Sequence, residues 1–204
     1  MNKIFAFCIA FFLLASAVVI GFWFTGNLPG IGQEKSEGSS VLVGVPQIGG
    51  PFSLVNHKGE TVTDEDLEGK LFLVFFGFTN CPDVCPTEMQ TISVAMQELG
   101  DDAKEVVPLF VTVDPARDTP EILASFVSAF HPAIVGLTGS EESINDMKKK
   151  YRVYSQKQDN DDPDYYLVDH TSFTYLMGRD GDLITVFSFG VPAEEMASKV
   201  REQL

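Results

Sequence analysis

Lys70-Leu-Phe-Leu-Val-Phe-Phe-Gly-Phe-Thr-Asn-Cys-Pro-Asp-Val-Cys-Pro86 is the stretch that decides how this chain is read. Residues 70–76 are a continuous apolar run of strand length, stopped by Gly77 and polar residues. A strand half exposed to water would alternate, so an unbroken run points to a strand buried on both faces in a parallel sheet. Cys81 and Cys85 stand just beyond it, with three residues between them. A helix is expected from about Asp83 to Leu99, with Ile92, Ala95, Met96 and Leu99 on one face. If the cysteine segment is helical, a spacing of four stacks both thiols on one face, one turn apart. Pro82 suits a first helical turn, where its missing N–H costs little. Two sulfurs held this way can close a disulfide or bind one soft metal.

Outward from this stretch, the pattern alternates strand and helix. A short hairpin is expected upstream, with Phe52–Asn56 and Thr61–Val62 joined by a His57-Lys58-Gly59 turn, and Asp64 capping a brief helical turn. Downstream, 106–113 reads as the next buried strand. Asp114-Pro-Ala-Arg-Asp-Thr-Pro-Glu121 follows it, with Thr119 fitting an N-cap and Pro120 the first helical position. Helices are expected over 121–130 and 140–151 and from about Ala193. Strands are expected over 134–137 and 153–157. A second hairpin, 173–177 with 183–189, closes around Arg179-Asp180-Gly181. Asp159 to Asp164 reads as an acidic loop. Strands alternating with helices, ending in an antiparallel hairpin, give an α/β fold with a central mixed sheet. A cysteine pair at the strand-to-helix junction after a central strand points to a thioredoxin-like arrangement, in which sites gather at the carboxyl ends of strands.

The rest of the chain sets its surroundings. Ile4 to Phe24 is 21 residues without a charge, long enough to span a bilayer. Lys3 before it favours a cytoplasmic N-terminus, with the domain outside the cytoplasm. Ala15-Ser16-Ala17 resembles a signal-peptidase site, yet the apolar run continues past it, so an uncleaved signal-anchor transmembrane helix is expected. Cys8 is read as a residue of that membrane segment. The first Arg is Arg117, so an Arg-rich mitochondrial presequence is absent, and a bacterial inner-membrane protein facing the periplasm is expected. The expected organisation is an anchor over 1–25, a flexible Gly/Ser/Pro-rich linker over 26–47 and one folded domain over 48–204. Formal net charge is −15, and the chain beyond residue 25 carries 13 basic and 29 acidic residues, or −16. Such a surface repels phosphate backbones and argues against nucleic-acid binding. It suits cations or basic partners, and equally serves simple solubility.

The cysteine pair admits three chemistries. As a metal site, the thiolates are soft ligands that favour Cu(I), and a helix N-terminus lowers thiol pKa. Two thiolates leave the ion short of a ligand. Of the three histidines, His57 lies in a polar turn and His131 at a helix end before Pro132. His170 lies in Leu-Val-Asp-His-Thr-Ser-Phe-Thr-Tyr-Leu, a loop that a thioredoxin-like fold brings beside the redox helix. His170 is therefore the expected third ligand, with Asp169 as a residue able to orient it. Copper suits the set better than zinc, whose sites more often add further His or Cys. As a thiol–disulfide exchanger, the pair departs from the usual two-residue spacing, and Asp169-His170-Thr171-Ser172 stands where such enzymes carry a proline. As a peroxide reductase, Val84-Cys85-Pro86-Thr87-Glu88 matches a peroxiredoxin stretch, but Pro82 occupies the position of the Thr that polarises peroxide.

Five segments in order resemble the Sco/SenC family across residues 48–192: Gly49-Gly-Pro-Phe-Ser-Leu54, Phe75-Phe-Gly-Phe-Thr-Asn-Cys-Pro-Asp-Val-Cys-Pro86, Val111-Thr-Val-Asp-Pro-Ala-Arg-Asp-Thr-Pro-Glu121, Gly136-Leu-Thr-Gly139 and Tyr166-Leu-Val-Asp-His170. The resemblance implies a thioredoxin-like domain that binds one copper ion through Cys81, Cys85 and His170. It implies a role in maturing the CuA centre of cytochrome c oxidase, either as a copper chaperone or as a thiol-disulfide reductase for the oxidase subunit's cysteines. A redox-active Cys81–Cys85 disulfide belongs to the second role. Asn80 departs from the basic or aromatic residue common there and touches no ligand. Asp114 and Arg117 are expected to form a structural ion pair.

Overall fold

The computed structural model describes residues 47–158 and 166–204. The expected anchor, all of the linker but Gln47, and the acidic loop 159–164 lie outside the described residues. Among the described residues, no helix is long and apolar enough to cross a membrane.

Among the described residues, nine strands and four α-helices follow one another as β1 (Ser53–Asn56), β2 (Thr61–Thr63), β3 (Leu71–Gly77), α1 (Val84–Leu99), β4 (Val106–Thr112), α2 (Pro120–Val127), β5 (Val135–Thr138), α3 (Glu141–Lys150), β6 (Ser155–Lys157), β7 (Val168–His170), β8 (Thr174–Met177), β9 (Leu183–Phe187) and α4 (Ala193–Arg201). Seven strands form one sheet in the order β2-β1-β5-β4-β3-β8-β9, while β6 and β7 pair separately. β3, β4 and β5 run parallel; β1 and β8 join them antiparallel. This is the mixed sheet read from the sequence.

All seven residues of β3 are buried. Successive strand side chains point to opposite faces, so both faces of the sheet are covered here. α1 packs beside α4, and α2 lies on β5. The apolar face of α1 buries Met89, Ile92, Ala95, Met96 and Leu99. The β1–β2 turn is held by Asn56, whose Oδ1 accepts the N–H groups of Lys58 at 2.8 Å and Glu60 at 3.0 Å. Gly59 takes the positive φ of +82° that this turn requires.

Several boundaries differ from the sequence reading. Thr63, not Asp64, precedes the short 3₁₀ turn Asp64–Leu67, and its N–H donates to Asp66 Oδ2 at 2.8 Å. Pro82 lies before the helix, whose N-cap is Asp83; Pro86 is the proline inside the first turn. α2 stops at Val127, three residues short of the expected end. Val168–His170, read as a loop, is a strand, because β6 supplies its backbone partners: Ser155 opposite His170 and Gln156 opposite Asp169.

Candidate metal centre

Register places the site. β3 and β4 are in parallel alignment, with Gly77 opposite Thr112. Both strands therefore release their following loops at the same edge. β8 runs antiparallel to β3, with Thr174 opposite Phe75, so the segment entering β8 reaches that edge too. The cysteine turn, the 113–119 loop and residues 170–173 thus meet at the carboxyl end of the parallel strands.

The thiols do not stack on a helical face. Cys81 precedes α1, and a turn closed by Cys81 N–H to Phe78 O at 3.2 Å folds it back over the helix start. The first N–H groups of a helix have no internal partner. Asp83 makes no side-chain cap. Cys81 Sγ instead accepts the Cys85 N–H at 3.4 Å. The sulfur is the cap that the helix otherwise lacks.

His170 completes the cluster. Its Nε2 lies 3.4 Å from Cys85 Sγ, and its Nδ1 lies 3.0 Å from Thr171 O. A carbonyl only accepts, so Nδ1 donates to Thr171 O, and this turns Nε2 towards the sulfurs. Phe75 and Phe78 set their rings edge-on to the imidazole, with centroids at 6.2 and 5.8 Å. The ligand atoms of Cys81, Cys85 and His170 all lie within 4.8 Å of one another. Bonds from nitrogen and sulfur to a first-row ion are about 2.0–2.3 Å, so atoms sharing one ion stand up to about 4.5 Å apart. The three residues fit a single ion with little movement.

The two thiols differ in kind. Cys85 is fully buried, whereas Cys81 is partly open to a shallow cleft lined by Pro82, Val84, Leu167 and His170. The neighbouring Cys85 thiol pulls the Cys81 pKa down to about 4; His170 and the Asp83 and Cys85 backbone add to this, and burial opposes it. Cys85 is pushed well above the usual thiol range, first by Cys81 beside it and then by burial. The first negative charge of the pair therefore sits on Cys81. Both thiols are free, and the pair is a dithiol.

The other residues singled out from the sequence fall elsewhere. Asp169 is exposed and receives Gln158 Nε2 at 2.7 Å, while the imidazole turns its Nδ1–H to Thr171. His57 Nδ1 accepts the Gly136 N–H, and His131 Nδ1 accepts the Ala133 N–H; neither joins the cluster. Arg117 and Asp114 do pair, at 2.5 Å. The guanidinium also lies 3.5 Å above the Tyr166 ring, and Tyr166 donates its hydroxyl to Asp114 at 2.8 Å. Gly77 is the site residue that sequence reading missed. A Cβ there would stand 2.8 Å from Cys85 Sγ, so only glycine lets the buried sulfur approach the strand end. Its place as the one small residue closing an apolar run was the available signal.

Residues 42–204 match the family model described as SCO1/SenC. The chain is 43% identical over 193 residues to Protein sco1 of Schizosaccharomyces pombe, covering 92% of this chain and 73% of that protein. Its structure resembles copper-bound ScoI of Bradyrhizobium japonicum, with a TM-score of 0.73 and 43% identity, covering 77% of this chain and 99% of the other. It also resembles BsSco, a member of the Sco family of cytochrome c oxidase assembly proteins in which a disulfide switch was identified, with a TM-score of 0.64 and 27% identity, covering 77% and 94% of the two chains.

Proposed function

The chain belongs to the SCO1/SenC family, and from that premise we propose that Cys81, Cys85 and His170 bind one copper ion as cargo, in a membrane-tethered chaperone for the CuA centre of cytochrome c oxidase. The observation that carries this reading is the convergence of two sulfurs and one imidazole nitrogen within 4.8 Å. Two thiolates and an imidazole are a soft set suited to Cu(I). Cys81 offers its thiolate at the cleft, already ionised at neutral pH. Cys85 gives up its proton on binding, because the ion's charge replaces the proton in a buried site. Thr171 O holds the His170 ring with Nε2 facing inward. Transfer begins at Cys81, the sulfur that a partner thiolate can reach.

The charge-free run Ile4 to Phe24 supports an anchor over 1–25, and 26–47 supports a linker that lets the 48–204 domain reach a membrane-bound oxidase subunit on the periplasmic side. The acidic surface suits a basic docking face on that partner.

The experiment is Cu(I) titration of the reduced full chain in detergent against a chromophoric chelator. One equivalent is expected, with the affinity lost in Cys81→Ser and Cys85→Ser and lowered at least tenfold in His170→Ala. A Cys81→Ser protein that binds one copper as tightly as wild type overturns the reading.

A second reading is supported by the free dithiol with one accessible, low-pKa sulfur. The Cys81 thiolate attacks a target disulfide and forms a mixed disulfide, releasing one target thiolate. Cys85 then loses its proton and attacks the Cys81 sulfur, freeing the second target thiolate; the pair is oxidised by two electrons as the target is reduced. Under this reading, His170→Ala keeps the activity and either Cys→Ser change abolishes it.

A further inference from the structure

The 113–119 loop holds two acids with different partners. Asp114 pairs with Arg117 and Tyr166. Asp118 is 1% exposed and, among the described residues, forms no salt bridge. Its carboxylate accepts three neutral donors: the Thr79 N–H at 3.0 Å, the Thr79 hydroxyl at 2.6 Å and the Thr112 hydroxyl at 2.6 Å. Thr112 is the last residue of β4, and Thr79 lies two residues before Cys81. Burying a carboxylate without a counter-ion costs free energy, and desolvation raises the pKa of this one. The hydrogen bonds to it are charge-assisted and strong. Two of the three, both from Thr79, are directed at the stretch whose fold-back, closed by Cys81 N–H to Phe78 O, sets where the Cys81 sulfur stands. Arg117 leans on the same stretch, with Cζ 5.9 Å from the centroid of the Phe78 ring.

We propose that Asp118 is a positioning residue for the thiol pair: by clamping Thr79 to the end of β4, it holds the Phe78–Cys81 turn so that the Cys81 sulfur caps the Cys85 N–H and faces His170. The clamp gives the 113–119 segment a role in the site that no contact of its own with the ligands would supply. Its consequence for copper rests on the reading given above, whereas the geometry concerns the metal-free chain.

The test uses the reduced, metal-free full chain in detergent and follows alkylation of Cys81 by iodoacetamide against pH, read by mass spectrometry. Released from the clamp, Cys81 moves off the Cys85 N–H and loses the donors that favour its thiolate. Asp118→Ala is expected to raise the alkylation midpoint by at least one pH unit. Thr79→Ala is expected to do the same, the double variant to exceed neither single one, and Thr79→Ser to restore the wild-type profile. Cu(I) competition on the same proteins is expected to show at least a tenfold weaker complex for Asp118→Ala and Thr79→Ala. Unchanged midpoints in folded Asp118→Ala and Thr79→Ala, or additive shifts, overturn the proposal. If Asp118→Ala does not fold, the midpoint of Thr79→Ala, which removes one hydroxyl, decides between these outcomes. If the midpoints shift as stated while wild type binds no Cu(I), the copper reading fails and the positioning role stands.

Discussion

Gly77→Ala should damage stability and the site together. The added methyl would meet Cys85 Sγ at 2.8 Å, Phe110 Cε2 at 2.9 Å and Phe75 Cε1 at 3.2 Å, all from residues with no exposed surface. Overpacking a closed core costs about 1–3 kcal/mol, and three simultaneous contacts place this change near the upper end. In a domain of this size each kcal/mol lowers Tm by about 2–4 °C, so a fall of roughly 5–10 °C is expected in thermal denaturation followed by circular dichroism. The rings are fixed within paired strands, so relief falls on the sulfur, which must leave its position 3.4 Å from His170 Nε2. Cu(I) competition should then show at least a tenfold weaker complex, about 1.4 kcal/mol. A double-mutant cycle isolates the sulfur's share. In a Cys85→Ala background the Sγ contact is gone while the phenylalanine contacts remain, so Gly77→Ala should cost about 1 kcal/mol less there. A Gly77→Ala protein with wild-type Tm and copper affinity, or a cycle with no coupling, would rule out this packing account.

Other consequences can be checked on the metal-free, reduced protein. Cys81 has its folded pKa lowered from 9.0 to about 4. The unfolded chain then binds more protons between these values, so the stability that Cys81 contributes grows as pH rises from about 4 towards 9 and is lost as pH falls through about 4. Cys85 is raised instead, so its contribution is present below about pH 9 and declines above it. Denaturant unfolding of wild type against Cys81→Ser and Cys85→Ser across pH 4–10 should show opposite slopes on the two sides of pH 9. Glu88 is fully buried, its pKa is raised by burial, and Thr174 donates to its Oε1 at 2.6 Å. Its folded form holds a proton that the unfolded form releases, so wild type should lose stability as pH rises above the usual carboxylate range, and Glu88→Gln should flatten that slope. Arg117→Ala leaves Asp114 buried beside Tyr166 without its cation and should cost about 3–5 kcal/mol in denaturant unfolding. Arg117→Lys should recover only part of this, because the guanidinium both stacks on Tyr166 and donates to its carbonyl at 3.0 Å.

Much of this molecule follows from local patterns. The apolar run before Gly77 is β3, the run from Val106 is β4, and Thr119-Pro120 starts α2 with the Thr119 hydroxyl accepting the Ile122 N–H. These are legible because burial on both faces, caps and proline geometry act within a few residues. The β7 strand was not legible, since Val168–His170 is a strand only by virtue of its partner β6. The cysteine spacing likewise suggested two thiols stacked on a helix, whereas Cys81 lies outside α1 and reaches Cys85 through a turn.

The alternation of strands and helices and the two thiols were readable along the chain, whereas His170 was singled out through the thioredoxin-like arrangement that this alternation implies. Residue types and short-range periodicity need no knowledge of the folded shape. Folding in three dimensions is what makes Cys85 the buried sulfur and Cys81 the open one, denies Gly77 a side chain, and lets Asp118 grip Thr79 across 39 residues. Each of these depends on strand register. Register is fixed by how the whole apolar core closes, and no local stretch of sequence contains it.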